Sequence, residues 1–245
     1  MVKGGLAALM LVATSAWAKP PASLACVQKF YAARALEKNG LWYVTVPDGS
    51  RYLYDFGGEK PFEERLRVPD VQDMFGIRYH SGPIVPVTEV DEDPGRIRHA
   101  PLFDATYPPK ELVKTRFLEL PVTVQRRILA PLDRVAARLR KALAANAQLA
   151  PFFKKLGASF AERSVAGTAT ASAHAYGIAI DLNPELSNYW RWQKPPEPVT
   201  WVNKVPQVIV DAFEAEGFVW GGRWYHYDTG HFEYRPELLD AACYD

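Results

Sequence analysis

Past its first few residues, the sequence has no apolar run approaching the ~20 residues that a membrane-spanning helix needs, which excludes a stable span. It also has no long basic stretch. Lys and Arg number 29 against 28 Asp and Glu, so the formal net charge is only +1 and nothing electrostatic points to nucleic acid. No internal repeat and no low-complexity tract occurs. Several catalytic signatures are missing too. There is no His-Glu-x-x-His helix, no phosphate loop, no dinucleotide fingerprint and no Gly-x-Ser-x-Gly elbow, which sets aside the commonest zinc-protease pattern, nucleotide chemistry and the hydrolase nucleophile turn. Ser172 and His174 do not restore a serine mechanism, because side chains two residues apart rarely meet as nucleophile and base.

What is present begins with an address. Lys3 precedes the apolar run from Leu6 to Val12, and small residues follow up to Ala16-Trp17-Ala18. That order reads as a secretory signal peptide over residues 1–18, so the chain is expected to be exported, periplasmic or secreted. A lipid anchor on Cys26 is disfavoured, since Ser23 stands where an apolar residue would be needed. The two cysteines, Cys26 and Cys243, lie near opposite ends of the mature chain. In an oxidising compartment a bridge between them is the first expectation, and two separate buried thiols the alternative.

Hydrophobic residues make up 48% of the chain and charged ones 23%, enough apolar material to bury a real core. Residues 41–55 read as a hairpin, with Leu41 to Val46 and Arg51 to Tyr54 flanking the turn Pro47-Asp48-Gly49-Ser50. Residues 82–110, rich in proline and poor in periodicity, read as an irregular wrapping segment that ends near Pro108-Pro109. A helix is expected from Pro131, where Leu132, Val135, Ala136, Leu139 and Leu143 recur at helical spacing. A second is expected over 206–216, with Ile209 and Phe213 inward and Gly217 as its stop. Short strands between and after these helices indicate an α+β fold rather than repeated βαβ units.

Two strand-like segments concentrate the chemistry. The first is Ser172-Ala-His174-Ala-Tyr-Gly177-Ile-Ala-Ile-Asp181-Leu-Asn183. From Ile178 the pattern alternates, so Ile178, Ile180 and Leu182 face one way while Ala179 and Asp181 face the other. A carboxylate in so apolar a strand is costly unless paired or bound to metal. Gly177 lets the chain turn between His174 and the strand. In the second segment, Trp224 to Tyr234, His231 and Glu233 share one face and Asp228 precedes His231 by three residues. Two imidazoles and a carboxylate, with one position left open for water, form a ligand set of the catalytic-zinc kind. Glu233 is expected to orient a ligand rather than bind the metal, and His226 to lie behind the ligands or in the core. The many tryptophans, Trp190, Trp192, Trp201, Trp220 and Trp224 among them, are read mainly as core.

Ser-x-His-x-x-Gly-x-Ala-x-Asp followed by Asp-x-x-His-Phe-Glu resembles the zinc peptidases of the D-alanyl-D-alanine carboxypeptidase family. That family includes vancomycin-resistance dipeptidases and carboxypeptidases and phage L-alanyl-D-glutamate endolysins. The resemblance covers roughly residues 150–240. It implies a small antiparallel sheet flanked by helices, as in hedgehog-type domains, here with a partly irregular N-terminal extension. Together with the N-terminal pattern and the boundary near Pro108-Pro109, it gives an expected division into a signal peptide (1–18), an extension (19–115, with the hairpin at 41–55) and a zinc peptidase domain (116–245). It makes His174, Asp181 and His231 the ligands of one zinc ion (Zn2+), Asp228 the catalytic carboxylate, and Arg163 and Ser172 substrate-facing residues, Arg163 also helping to stabilise the oxyanion. Many relatives carry Glu where Asp228 stands, and some endolysins carry Asp. The expected substrates are peptidoglycan stem peptides, cut by metal-activated water with Asp228 moving the proton. The competing reading is a non-catalytic, metal-stabilised module that binds cell-wall peptides or a partner protein.

Overall fold

The computed structural model describes residues 19–164, 170–194 and 198–244. The signal peptide expected over 1–18 lies outside them. Among the described residues no helix is long and apolar enough to cross a membrane.

Three small antiparallel sheets are flanked by helices, the α+β arrangement expected. Helix α1 (Ala22–Phe30) leads into β1 (Arg34–Lys38), β2 (Leu41–Thr45) and β3 (Arg51–Leu53), which pair in that order. Asn39 and Gly40 carry the first turn at φ 55° and 78°, the left-handed region that these two residue types tolerate best. Helix α2 (Phe62–Arg67) follows, and then the long segment read as irregular. That reading needs one correction: α3 (Ala100–Thr106) forms inside it. Pro101 stands in the first turn, where its missing N–H has no intrahelical acceptor to lose, and Leu102, Phe103 and Thr106 are buried.

The second sheet is a hairpin, β4 (Leu112–Phe117) and β5 (Leu120–Gln125). Its two-residue turn, Leu118-Glu119, lies at φ 46° and 70° with no Gly, Asn or Asp to announce it. The chain then enters α4 (Leu129–Ala145), which starts two residues before Pro131 and places that proline in its first turn. Leu132, Val135, Ala136 and Leu139 form its buried stripe.

The third sheet carries the site. It consists of β6 (Ala179–Asp181), β7 (Phe218–Trp220) and β8 (His231–Tyr234), with β8 in the middle. Helix α5 (Gln207–Glu214) packs on it. Phe213 stacks on Phe232 with ring centroids 4.0 Å apart, and Gly217 at φ 89° turns the chain into β7. After β8 comes α6 (Pro236–Leu239), and the following turn brings Cys243 to Cys26 in a disulfide. Residues of α1 and β2 share one apolar core with α3, α4 and the third sheet: Leu24, Val27 and Val44 belong to it, as do Phe103, Leu139 and Phe232.

Candidate metal and catalytic site

Register explains how two distant segments meet. Asp181 on β6 pairs directly with His231 on β8, and Ala179 pairs with Glu233. Directly paired residues in antiparallel strands project to the same face, so Asp181 and His231 stand side by side with Glu233 one step along. His174 arrives from the turn before β6. The bend depends on Gly177 at φ 67°, where a Cβ would lie 2.5 Å from Leu112 Cδ2. Gln125 at the end of β5 donates its N–H to the Gly177 carbonyl and fixes that turn to the second sheet.

Nε2 of His174, Nδ1 of His231 and Oδ1 of Asp181 close a triangle with sides of 3.0, 3.0 and 3.1 Å. The opposite ring nitrogens are already committed. His174 Nδ1 donates to the Ser159 carbonyl at 2.8 Å, and His231 Nε2 donates to Glu233 Oε2 at 3.0 Å. Neutral rings with those tautomers therefore aim two nitrogen lone pairs at each other and at a carboxylate oxygen. Such a triangle repels itself unless a proton or a cation occupies it. Burial pulls the His231 ring down, but its bonds to Asp181 and Glu233 outweigh that and push it up to about 10. That environment favours a cation between the three donors, and a ring proton is what a divalent cation would displace. Nitrogen and oxygen donors in this number and at this spacing suit zinc.

Glu233 is the buttress behind His231. It is fully buried and also receives Arg98 Nη2 at 2.6 Å and Arg235 Nη1 at 3.3 Å. Burial raises its carboxyl, but Arg98, the His231 bond and Arg235 together hold it below the usual carboxylate range.

The triad lies in a cleft of about 300 Å3. Asp228 lines it, half-buried, with Oδ1 accepting the Gly230 N–H at 3.2 Å. Burial and the neighbouring Asp181 charge push its carboxyl up to about 6. Arg163 is exposed at the rim, its Nη2 3.9 Å from Asp181 Oδ2. Ser172 lines the cleft with its Oγ buried and no hydrogen-bond partner among the described residues. His226 also faces the cleft, where Asp93 holds its Nδ1 at 2.6 Å and its backbone N–H at 2.9 Å. Trp190, Trp192 and Trp224 are lining residues rather than core alone, while Trp220 is fully buried.

Three residues that the sequence reading passed over also belong to the site: Asp93, Arg96 and Arg98. They come from the proline-rich segment that resembled nothing known. The signal available there was the alternation Arg96-Ile97-Arg98, in which Ile97 turns into a satellite apolar cluster and both arginines line the cleft.

Residues 166–234 match the family model described as D-alanyl-D-alanine carboxypeptidase. No curated protein and no solved structure matches the chain. The matched residues include His174, Asp181, Asp228 and His231, so this segment of the chain is similar to the D-alanyl-D-alanine carboxypeptidase family of peptidases.

Proposed function

We propose that this protein is an exported zinc peptidase that hydrolyses peptide bonds of peptidoglycan stem peptides, as a D-Ala-D-Ala carboxypeptidase or a related endopeptidase. One observation carries the reading: two lone-pair nitrogens and a carboxylate oxygen converge beside a second, half-buried carboxylate in an open cleft. The family match over the same residues supports a peptidase acting on peptidoglycan-like substrates. In this reading residues 116–245 form the catalytic domain and 19–115 an extension that contributes to the cleft.

His174, Asp181 and His231 are the residues that would hold the zinc ion. Bound there, zinc supplies Lewis acidity, which can polarise a carbonyl and bring the pKa of a water near 7. Asp228 does the proton work. A carboxyl near 6 is largely ionised at neutral pH, yet is basic enough to accept a proton from the attacking water. It then returns that proton to the amine nitrogen as the C–N bond breaks, while the water oxygen stays on the acyl carbon. Arg163 stands at the rim to offset negative charge that develops on the carbonyl oxygen, and Ser172 Oγ, which has no hydrogen-bond partner among the described residues, is a hydroxyl for the peptide backbone. Glu233 keeps His231 in the tautomer that leaves Nδ1 bare.

The test separates proton transfer from metal binding. Asp228→Asn should retain zinc and fold, yet lose about 10²–10⁴ in turnover, the usual range for general acid–base assistance. Elemental analysis and amine release from defined muropeptides are measured on one preparation. Full zinc with near wild-type turnover would assign the base elsewhere, and lost zinc would make Asp228 a ligand.

A further inference from the structure

Residues 92–98 lie outside the matched family segment, yet through Arg96 and Arg98 they supply one wall of the cleft. The wall is fastened at four points. The Tyr225 N–H donates to the Glu92 carbonyl at 2.8 Å, and Asp93 binds His226. Arg235 Nη1 donates to the Gly95 carbonyl at 2.8 Å, and Arg98 Nη2 to Glu233 at 2.6 Å. Gly95, at φ 95°, lies so close to Glu233 that a Cβ would approach Oε1 to 3.3 Å. From this base Ile97 packs among Phe62, Leu66 and Ile77, while Arg96 and Arg98 on either side of it line the cleft.

Neither guanidinium is used up. Arg96 commits only Nη1, which donates to Asp93 Oδ2 at 2.6 Å and lies 3.0 Å from His226 Nδ1. Its Nε and Nη2 have no partner among the described residues. Arg98 commits only Nη2. Its Nε and Nη1 are buried without a partner among the described residues, and so is Trp224 Nε1 in the same cleft. The unpartnered nitrogens are all donors, so the group that completes them must be rich in acceptors. The planar fork of a guanidinium matches a carboxylate best. Asp93 fits that purpose: fully buried, it fixes Arg96 through one nitrogen and leaves the others directed elsewhere. Tyr189 and Arg163 line the same cleft as Arg96 and Arg98.

We propose that Arg96, carried in by the N-terminal segment, is a specificity-determining residue that receives a carboxylate of the peptide substrate, with Arg98 beside it. This rests on the peptidase reading. The carboxylate could be the C-terminus of the peptide or an acidic side chain next to the scissile bond, and the assay tells the two apart.

Two peptide pairs are compared: one ending in D-Ala-D-Ala as the free acid or the carboxamide, and one containing L-Ala-D-Glu or L-Ala-D-Gln. The readout is the acid-to-amide ratio of kcat/KM. Wild type should favour the acid in one pair by roughly 10- to 100-fold, the range of a charge-assisted hydrogen bond, and Arg96→Gln should bring that ratio close to one. The pair that responds identifies the carboxylate. A purely structural ion pair with Asp93 would lower both rates together and leave the ratio unchanged. Arg96→Lys keeps a charge for Asp93 but loses the fork, so it should also reduce the ratio, even if the Gln variant fails to fold. Equal use of acid and amide by wild type in both pairs would overturn the proposal, as would an unchanged ratio in the variants. Should neither pair be hydrolysed, the peptidase reading fails. Calorimetric binding of the same peptides then decides: tighter binding of one acid, lost in the variants, upholds the role of Arg96, and equal binding refutes it.

Discussion

Glu233 links the stability of the fold to the geometry of the metal pocket, and its removal should damage both in separable ways. The carboxylate is fully buried and accepts from His231, Arg98 and Arg235. In Glu233→Ala, Arg235 keeps Glu237 at 2.5 Å and the Gly95 carbonyl. Arg98 keeps nothing, because Nη2 was its one bonded nitrogen among the described residues and Glu233 its acceptor. Leaving a buried charge without its partner typically costs about 3–5 kcal/mol, a large part of the 5–15 kcal/mol that folds a domain. Urea unfolding with the metal chelated measures that loss free of any zinc contribution. Adding Arg98→Met should recover much of it, since an apolar side chain of similar length does not need the carboxylate. Glu233→Gln is the companion for metal binding. It keeps an oxygen for His231 but not the charge, and zinc affinity in a competition titration should fall about 10- to 100-fold. The reasoning fails if Glu233→Ala unfolds at the wild-type midpoint, or if Glu233→Gln binds zinc as tightly as wild type.

Two further predictions concern the fold. Replacing both Cys26 and Cys243 with Ser opens a link between residues 217 apart, which the chain-entropy model values at about 5 kcal/mol. The double variant should unfold at lower urea than the oxidised wild type, and equal midpoints would show that the bridge contributes nothing. His99 supplies a pH dependence. Burial, only partly opposed by Asp70, lowers its ring from 6.5 to about 4, so the folded state keeps it neutral while the unfolded chain takes up a proton. Its contribution is complete above pH 6.5 and is lost as pH falls towards 4, by at most about 3 kcal/mol. His99→Gln should flatten the stability curve between pH 6.5 and 4, and a slope identical to wild type would contradict this.

The site was more legible than the fold around it. Alternation from Ile178 to Leu182 and from His231 to Tyr234 encodes two short strands, and their direct pairing sets Asp181 against His231. The turn at Gly177 was visible because only glycine accepts that bend so close to Leu112 and Gln125. The hairpin of β4 and β5 was not visible, because Leu118 and Glu119 adopt left-handed angles without the residues that signal them. Tertiary pairing imposes that turn; local preference does not. Helix α3 was masked by the prolines around it, although Pro101 is harmless in a first turn. The arginine wall was hidden for another reason. Arg96 and Arg98 acquire their role only when Asp93 and Glu233, one close in sequence and the other on β8, come to lie behind them.

The measurement closest to the central claim is the zinc content of purified wild type and His174→Ala, determined side by side by elemental analysis. His174 Nε2 is one corner of the 3.0–3.1 Å triangle, and its other nitrogen is already held by Ser159, so no second atom of this ring can take its place. One zinc per chain is expected in wild type and almost none in His174→Ala, with muropeptide hydrolysis lost in parallel. Stoichiometric zinc retained by His174→Ala, or wild type that hydrolyses muropeptides fully after its metal is stripped, would contradict the account.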